Sequence, residues 1–270
     1  MRTRTKAMEG TDLKPNHLLL YFLILSIFIM RDSGTCIDAA NNYDSMGSKL
    51  YSAGNYSEAM DYFNKSIDQN SSYIDAWVHK GNAQKALRQY NASLLSYDRA
   101  IASDSKNQPA WSGLSDSYSA GKDYVNASGA AAVLTRLDPK NKGYWFKNGT
   151  LLQLRGDFDR ARSDFDQAIA LDAKYKDAIY EKAISELAVN DTNQAIELFD
   201  QVIAIDAKYK QAYNAKGQAL EAQGKYELAI AAYDRALKID PKWTLALTNK
   251  MHALIESGNQ KEAVGIFLRM

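Results

Sequence analysis

The sequence lacks the residue clusters on which most catalytic and metal-binding sites depend. Its single cysteine, Cys36, excludes a disulfide within the chain. Its three histidines, at positions 17, 79 and 252, are too few and too far apart for an imidazole metal cluster. No glycine-rich loop has a phosphate-binding pattern, and no Ser-His-Asp or Cys-His set can be assembled. We therefore predict a protein that is not an enzyme and that uses no cofactor and no metal.

An excess of one charge is also missing, and proline is scarce. Lysine and arginine number 33 against 32 aspartates and glutamates, which gives a formal net charge of +1. A chain so close to neutral lacks the basic surface that nucleic-acid binding requires, so no nucleic-acid partner is predicted. With only four prolines and no strand-rich segment, the chain is predicted to consist of helices joined by short turns.

The first 36 residues differ from the rest of the chain. A polar, basic stretch precedes an apolar run over residues 18–30, in which Ser26 is the one polar member. This length is typical of the apolar region of a signal peptide and shorter than the roughly 20 residues that span a bilayer. A buried core helix is the alternative, but the rest of the sequence offers it no partner surface. We predict a signal peptide or membrane anchor over residues 1–36. The chain beyond it is expected outside the cytoplasmic membrane, because the basic residues precede the run.

Cys36 could also serve as a lipid attachment site. The segment 33–36, Ser-Gly-Thr-Cys, weakly resembles the lipobox of exported lipoproteins. Thr35 stands where glycine, alanine or serine is expected, and Arg31 and Asp32 intervene after the apolar run. Lipidation of Cys36 and a free cysteine near an ordinary cleavage site are both open alternatives.

From about residue 38 onwards a pattern recurs every 34 residues. The segment 54–59 (GNYSEA) recurs at 156–161 (GDFDRA) and at 224–229 (GKYELA). The alanine that ends each segment is followed four residues later by an aromatic ring, at Phe63, Phe165 and Tyr233. Seven such units fit the chain without an insertion or a deletion.

This pattern resembles the tetratricopeptide repeat. The resemblance implies an all-α fold, a right-handed superhelical solenoid of about seven helix-turn-helix repeats, because one hairpin alone cannot bury its apolar face. We predict a short linker at 37–39 and a repeat domain over 40–270. The repeats are placed at 40–73, 74–107, 108–141, 142–175, 176–209, 210–243 and, truncated, 244–270.

Local signals fit the repeat. Asp157 and Asn55 are predicted to cap the second helices of their repeats. Acids that recur at the repeat period, such as Asp200 and Asp206, are assigned to helix ends and solvated faces and not to acid–base chemistry. Glycines at the turn between paired helices suit a left-handed backbone, namely Gly54, Gly156, Gly224 and Gly258.

The resemblance also implies a binding groove. In the family, the first helix of each repeat lines a concave surface, and its second, fifth, ninth and twelfth positions commonly reach a bound peptide. The matching positions give the groove candidates Asp75, Val78, Asn82, Lys85, Ser112, Asp116, Phe146, Thr150, Gln153, Tyr180, Asn214, Gln218 and Glu221.

Two kinds of ligand can be weighed for this groove. Some family members clamp an acidic C-terminus with lysine, asparagine and arginine, and only Asn82 and Lys85 fit that chemistry, so a carboxylate clamp is not predicted. Phe146 and Tyr180 favour an extended or helical segment with apolar anchors. For each single residue, a solvated surface without a ligand is the alternative.

Asn-X-Ser/Thr triplets are more frequent than chance pairing would give. Glycosylation at such triplets implies an exposed, exported surface. The competing explanation is that asparagine and serine are favoured together at turns and helix starts. A triplet at Asn148 occupies a position that the repeat buries, so we expect it to stay unmodified. The glycosylation candidates are Asn55, Asn64, Asn70, Asn91, Asn126 and Asn190.

The seventh repeat has an apolar second helix. Val264, Ile266, Phe267 and Leu268 come without a solvating capping helix, whereas solenoids usually finish with a polar outer face. This end either stays partly exposed or docks against another copy or a partner. Our hypothesis is weak self-association through it.

These features predict a non-catalytic scaffold that binds a protein or peptide segment in the concave groove. It would lie outside the cytoplasmic membrane and be attached through its N-terminal segment. The first alternative is a structural cell-envelope component that carries glycans and assembles through solenoid ends. The second is an accessory repeat subunit of an envelope enzyme complex.

Overall fold

The computed structural model describes residues 37–268. The predicted signal peptide or anchor, with its apolar run at 18–30 and Cys36, therefore lies outside the described residues. Among residues 37–268, no helix is both long enough and apolar enough to cross a membrane.

The described residues form fourteen helices and no strand, which confirms the all-α prediction. They fall into two compact units, divided between Ser105 and Lys106. Unit 1 contains α1 (37–52), α2 (Tyr56–Gln69), α3 (Ile74–Ala86) and α4 (Tyr90–Ser103). Unit 2 contains α5 (Gln108–Ala120), α6 (Tyr124–Leu137), α7 (Lys142–Leu154), α8 (Phe158–Leu171), α9 (Lys176–Ala188), α10 (Thr192–Ile205), α11 (Lys210–Ala222), α12 (Tyr226–Ile239), α13 (Thr244–Glu256) and α14 (Gln260–Phe267).

Helices pack in sequence order within each unit. In unit 2, α7 contacts α8, α8 contacts α9, and the same alternation continues to α14. The odd-numbered helices from α3 onwards begin at residues 74, 108, 142, 176, 210 and 244, the positions at which the sequence register starts repeats two to seven. Residues 37–39, expected to form a linker, are helical and belong to α1.

The core is built from alanines and rings at fixed repeat positions. Ala161, Ala195 and Ala229 are fully buried, and their small side chains let the two helices of a repeat approach closely. Phe165, Phe199 and Tyr233 of the following turn are also fully buried and fill the remaining space. Burial of these side chains is the main favourable contribution to the stability of the stack.

The turn between paired helices needs a left-handed residue in every repeat. The four predicted glycines have φ of +84°, +83°, +71° and +86° at positions 54, 156, 224 and 258, which confirms their role. In the other turns Arg88, Lys122 and Asn190 adopt φ of +60° to +62°.

The prediction that Asp157 and Asn55 cap their helices was wrong, since neither side chain bonds to its helix N-terminus. The Asp157 carboxylate instead accepts from Arg160 Nε at 2.7 Å and from Arg155 Nη2 at 3.2 Å. Charged guanidinium donors bind a carboxylate more strongly than backbone N–H groups do. Nothing in the structure explains why Asn55 makes no cap. Side-chain caps do form at Asn107, Asp123, Asn141 and Asp191.

Candidate functional site

The first helices of the later repeats lie side by side in unit 2. Helix α7 contacts α9, α9 contacts α11, and α11 contacts α13. We call these four helices the first-helix row. The groove candidates from Phe146 to Glu221 lie on α7, α9 and α11, so the structure brings them onto one row of adjacent helices.

Between α11 and α13 of this row lies a cleft of about 420 Å³. We call it the α11–α13 cleft. Among the groove candidates it contains Gln218 and Glu221. The other lining residues are Ala222, Tyr226, Asn249, His252 and Glu256.

Glu221 organises this cleft. Its Oε1 pairs with Nδ1 of His252, and its Oε2 accepts the Tyr233 hydroxyl at 2.8 Å. Burial and the bond to Glu221 raise the pKa of Tyr233 far above its ordinary value, so the phenol stays a donor at physiological pH. Asn249 Nδ2 donates to Asn214 Oδ1 at 3.0 Å beside it. The cleft therefore presents carboxylates and amides held in place by neighbouring helices.

The aromatic candidates are partly used in packing. Phe146 lies 6.0 Å from Phe165 and 5.3 Å from Tyr175, measured between ring centroids. Tyr180 has the equivalent environment, at 5.7 Å from Phe199 and 5.4 Å from Tyr209. Burial raises the pKa of Tyr180 to about 12. Each ring is half-buried, so it joins two repeats and presents only part of its surface to a ligand.

The remaining candidates differ in accessibility. Val78 and Asn214 were expected on the groove surface, but they are only 5% and 4% exposed and belong to the interior. Asn82 accepts the Tyr97 hydroxyl at 2.7 Å, and Thr150 donates to the Phe146 carbonyl at 2.9 Å. Asp75 is exposed, whereas Lys85 and Gln153 are half-buried.

Two candidates on α5 hold a lysine that the sequence did not single out. Lys147 Nζ, on α7, lies 2.6 Å from Asp116 Oδ1 and 2.9 Å from Ser112 Oγ. Ser112 and Asp116 thus connect two successive first helices. The sequence did not predict this contact, because Ser112 and Asp116 lie more than 30 residues before Lys147.

The recurring acids are structural. Lys176 Nζ lies 2.6 Å from Asp206 Oδ2, and Lys216 Nζ lies 2.6 Å from Asp200 Oδ1. Bonding to Lys176 lowers the pKa of Asp206, which keeps it ionised and unsuited to donating a proton. Among residues 37–268 no three histidine, cysteine or acidic side chains are grouped so that they could hold a metal ion.

The asparagine triplets fall into three groups by exposure. Asn55, Asn91, Asn126 and Asn190 are exposed. Asn64 and Asn70 are half-buried. Asn148 is 7% exposed, as its repeat position suggested.

The described end of the seventh repeat carries exposed apolar side chains. Phe267 is 66% exposed and Val264 57%, and both line a cleft of about 390 Å³ with Met251 and Ile255. Self-association through this surface stays a prediction.

Three residues of the cleft that are not among the groove candidates lie in the seventh repeat, namely Asn249, His252 and Glu256. His252 is its ninth position, so the rule used for the other repeats would have found it. Asn249 and Glu256 lie outside the four positions of that rule, and only the packing of α13 on α11 places them in the cleft.

Comparison with protein families identifies the repeat. One family model described as tetratricopeptide repeat matches residues 180–242, and a second with the same description matches residues 74–107. These matches support the assignment of the chain to the tetratricopeptide repeat proteins. Proteins of this family generally mediate protein–protein interactions.

Known proteins resemble this chain in part. The heat shock protein sti1 homolog of Schizosaccharomyces pombe is 33% identical over 94 residues, which are 35% of this chain and 16% of that protein. The crystal structure of YrrB, described as a TPR protein with an unusual peptide-binding site, superimposes with a TM-score of 0.60 at 22% identity and covers 70% of this chain and 97% of YrrB. A tetratricopeptide repeat protein from Parabacteroides merdae gives a TM-score of 0.68 at 14% identity, over 86% of this chain and 92% of that one. The two structural similarities establish the fold.

Proposed function

We propose that the protein is a non-catalytic scaffold that binds a peptide segment of a partner on the first-helix row, with the α11–α13 cleft as its main contact. The observation that carries this proposal is the cleft itself. Its walls come from two successive first helices, so a ligand there would be selected by side chains of more than one repeat.

The chemistry of the cleft favours a particular kind of segment. Glu221 and Glu256 supply carboxylates, and Gln218 and Asn249 supply amides that can bond to a peptide backbone. A basic side chain flanked by backbone N–H groups would match these acceptors. YrrB, with its peptide-binding site, supports a peptide ligand on this fold.

A peptide selection tests the proposal. A random peptide library is selected on the full chain, and the best peptide is titrated by fluorescence anisotropy against Gln218→Ala/Glu256→Gln. We expect Kd to rise about tenfold or more, because a hydrogen bond to a charged group contributes about 1.5–3 kcal/mol. Glu197→Gln, an exposed position on α10, is the matched control and should leave Kd unchanged. Equal affinity for both variants would place the peptide elsewhere.

The place of action is proposed from the sequence alone. A basic stretch followed by an apolar run supports export, with the repeats outside the cytoplasmic membrane. Intact mass and N-terminal sequencing of the native protein from fractionated cells test this. A mature N-terminus near residues 33–40 in the envelope or medium is expected, and an unprocessed chain in the soluble cytosol would contradict it.

A glycosylated envelope component is the second candidate function. The observation that favours it is the exposure of Asn55, Asn91, Asn126 and Asn190. The same mass measurement would show glycan mass, which should fall stepwise on changing each of these four to glutamine. Absence of glycan mass would remove this candidate.

A further inference from the structure

The turns that precede α7, α9, α11 and α13 in unit 2 share one sequence pattern. Each turn contains an aspartate and, two residues later, a lysine. The backbone N–H of that lysine donates to the aspartate Oδ1, at 3.0 Å both from Lys174 to Asp172 and from Lys208 to Asp206. This bond fixes the turn and leaves the ammonium group outside it. The four lysines, all exposed, are Lys140, Lys174, Lys208 and Lys242.

Ion pairs join these turns into one continuous edge. The first residue of α7, α9 and α11 is a lysine, and it bonds to the aspartate of the next turn along the chain. The three pairs, with their Nζ–Oδ2 distances, are Lys142–Asp172 (2.5 Å), Lys176–Asp206 (2.6 Å) and Lys210–Asp240 (2.5 Å). Because each turn contacts the next, the four exposed lysines form a row on one side of unit 2. We call the segments that carry this row the lysine edge, namely 136–142, 170–176, 204–210 and 238–244.

The ion pairs leave the exposed lysines without an acidic partner. Asp172 and Asp206 are engaged by the lysines of the preceding helices, which lower the pKa of both carboxyl groups. Lys174 and Lys208 lower these pKa values further, but neither side chain forms an ion pair among residues 37–268. The positive charge of the row is therefore available to an external anion.

Charge is distributed unequally between the two edges of unit 2. The lysine edge contains nine lysines and arginines against four aspartates. The turns within repeats lie at the other ends of the first helices, about 20 Å away along 13 residues of helix. There, four basic residues face five acidic ones over the equivalent segments 121–126, 155–160, 189–194 and 223–228. Since the whole chain is close to neutral, the excess of positive charge is a property of one edge.

Apolar and aromatic side chains lie on the same edge. Leu171 is 44% exposed and Ile205 38%, and each directly precedes the aspartate of its turn. The ammonium groups of the paired lysines lie over aromatic rings, with Lys142 over Tyr175, Lys176 over Tyr209 and Lys210 over Trp243. Lysine beside leucine, tyrosine and tryptophan is the composition of protein surfaces that lie in the membrane–water interface.

We propose that the lysine edge docks on an anionic lipid bilayer, with the four exposed lysines on headgroup phosphates and Leu171 and Ile205 at the boundary of the acyl chains. A lysine contacts a phosphate as a point charge on a flexible stem, whereas recognition of carboxylates favours the fixed fork of arginine. The α11–α13 cleft includes Glu221 and Glu256 near the other ends of the first helices. Docking would therefore leave the cleft facing away from the membrane, and it does not depend on the function proposed for the cleft.

A fluorescent label on the edge tests the docking. An environment-sensitive nitrobenzoxadiazole label is attached at Ala173→Cys, an exposed position, in the full chain with Cys36→Ser. Because the label follows the edge itself, membrane binding through residues 1–36 does not produce the signal. Vesicles of equal parts phosphatidylglycerol and phosphatidylcholine should shift the emission to the blue, and pure phosphatidylcholine should not. No shift with the anionic vesicles, or an equal shift with both, would overturn the proposal.

Salt and label position provide two controls. The shift should disappear between about 0.1 and 1 M sodium chloride, because the Debye length falls from about 10 to 3 Å. A label at Glu227→Cys, an exposed position at a turn within a repeat, should stay in water throughout. An equal shift from this second label would show that no particular edge faces the membrane, which contradicts the proposal.

Lysine variants identify the contacting residues. Lys174→Gln/Lys208→Gln/Lys242→Gln should lower the ratio of docked to undocked edge at least about tenfold, since each lysine near an anionic surface contributes about fivefold. Lys122→Gln/Lys225→Gln/Lys261→Gln removes the same charge from exposed positions elsewhere in unit 2 and should leave the ratio unchanged. Circular dichroism should show both proteins folded. An equal loss in the two variants would refute a role for the lysine edge.

An acidic protein segment is the competing partner for a row of lysines. Poly-L-glutamate represents it in the same label assay, without vesicles. A shift with the anionic vesicles and none with poly-L-glutamate is the expected result. A saturable shift with poly-L-glutamate and none with vesicles would assign the lysine edge to acidic proteins and overturn the membrane proposal.

Discussion

Four glycines of the first helices each lie against an aromatic ring of the second helix in the same repeat. A Cβ added at Gly217 would come within 2.4 Å of Tyr233 Cε1, and one at Gly149 within 2.7 Å of Phe165 Cε1. Both rings are fully buried and have no room to move away. The absence of a side chain at these positions sets how closely the two helices approach.

Gly217→Ala should therefore destabilise the protein by about 1–3 kcal/mol, the usual cost of overpacking a core. Gly129→Ala is the matched control, because its added Cβ meets nothing within 4 Å and alanine is the better helix former. Urea unfolding should show a lower midpoint for the first variant and an equal or higher midpoint for the second. Equal midpoints for the two would refute the packing argument.

Asp164 should make stability depend on pH in an unusual direction. Its pKa in the folded state, about 6, lies above the ordinary value of 3.8, so the folded protein holds this proton longer than the unfolded chain does. Its ionisation therefore opposes folding, and stability is lost as pH rises from about 4 through 6. Asp164→Asn should gain stability relative to the parent over this range and reach a plateau above about pH 7. Urea midpoints measured for both proteins between pH 4 and 8 check this, and a gain that falls as pH rises would contradict it.

At the scale of the helical hairpin, the turn depends on the backbone conformation of one residue. Gly224 has a φ of +71° and open space around its Cα, so sterics of neighbouring side chains play no part. Lys122 makes the same turn at a φ of +62°. A residue with a Cβ costs about 1–2 kcal/mol in this left-handed region.

Gly224→Ala should accordingly cost about 1 kcal/mol, and Lys122→Gly should give a smaller gain, offset by the larger entropy of glycine in the unfolded chain. Thermal unfolding of both variants measures the two effects. A Gly224→Ala protein as stable as the parent would show that the turn tolerates a side chain without strain.

The periodicity of the sequence predicts the helices and the turns between them, but it does not predict the side-chain contacts at the helix ends. The 34-residue pattern identifies the turn glycines and the buried alanines because each follows from a steric need that every repeat shares. The absence of a side-chain cap at Asp157 could not be predicted. Arg155 and Arg160 bind its carboxylate instead, and the sequence does not determine the side-chain rotamers of these two arginines. Asn107, by contrast, does cap its helix, at 2.8 Å from the Ala110 N–H.

At the scale of the whole molecule, the candidate site was predicted in outline only. The family rule selected Gln218 and Glu221 as groove residues, and both line the cleft, since the rule depends on helix geometry that the repeats preserve. Val78 became buried and Phe146 half-buried, because packing between neighbouring repeats covers these positions.

Partners are predicted to bind on the first-helix row at the α11–α13 cleft. The most direct measurement places a photo-crosslinking amino acid at Gln218, and in a matched variant at Glu197 on α10, in the full chain within the cells that produce it. A discrete crosslinked protein is expected from position 218 and not from position 197. Identical crosslinks from both positions, or none from position 218, would contradict binding at this cleft.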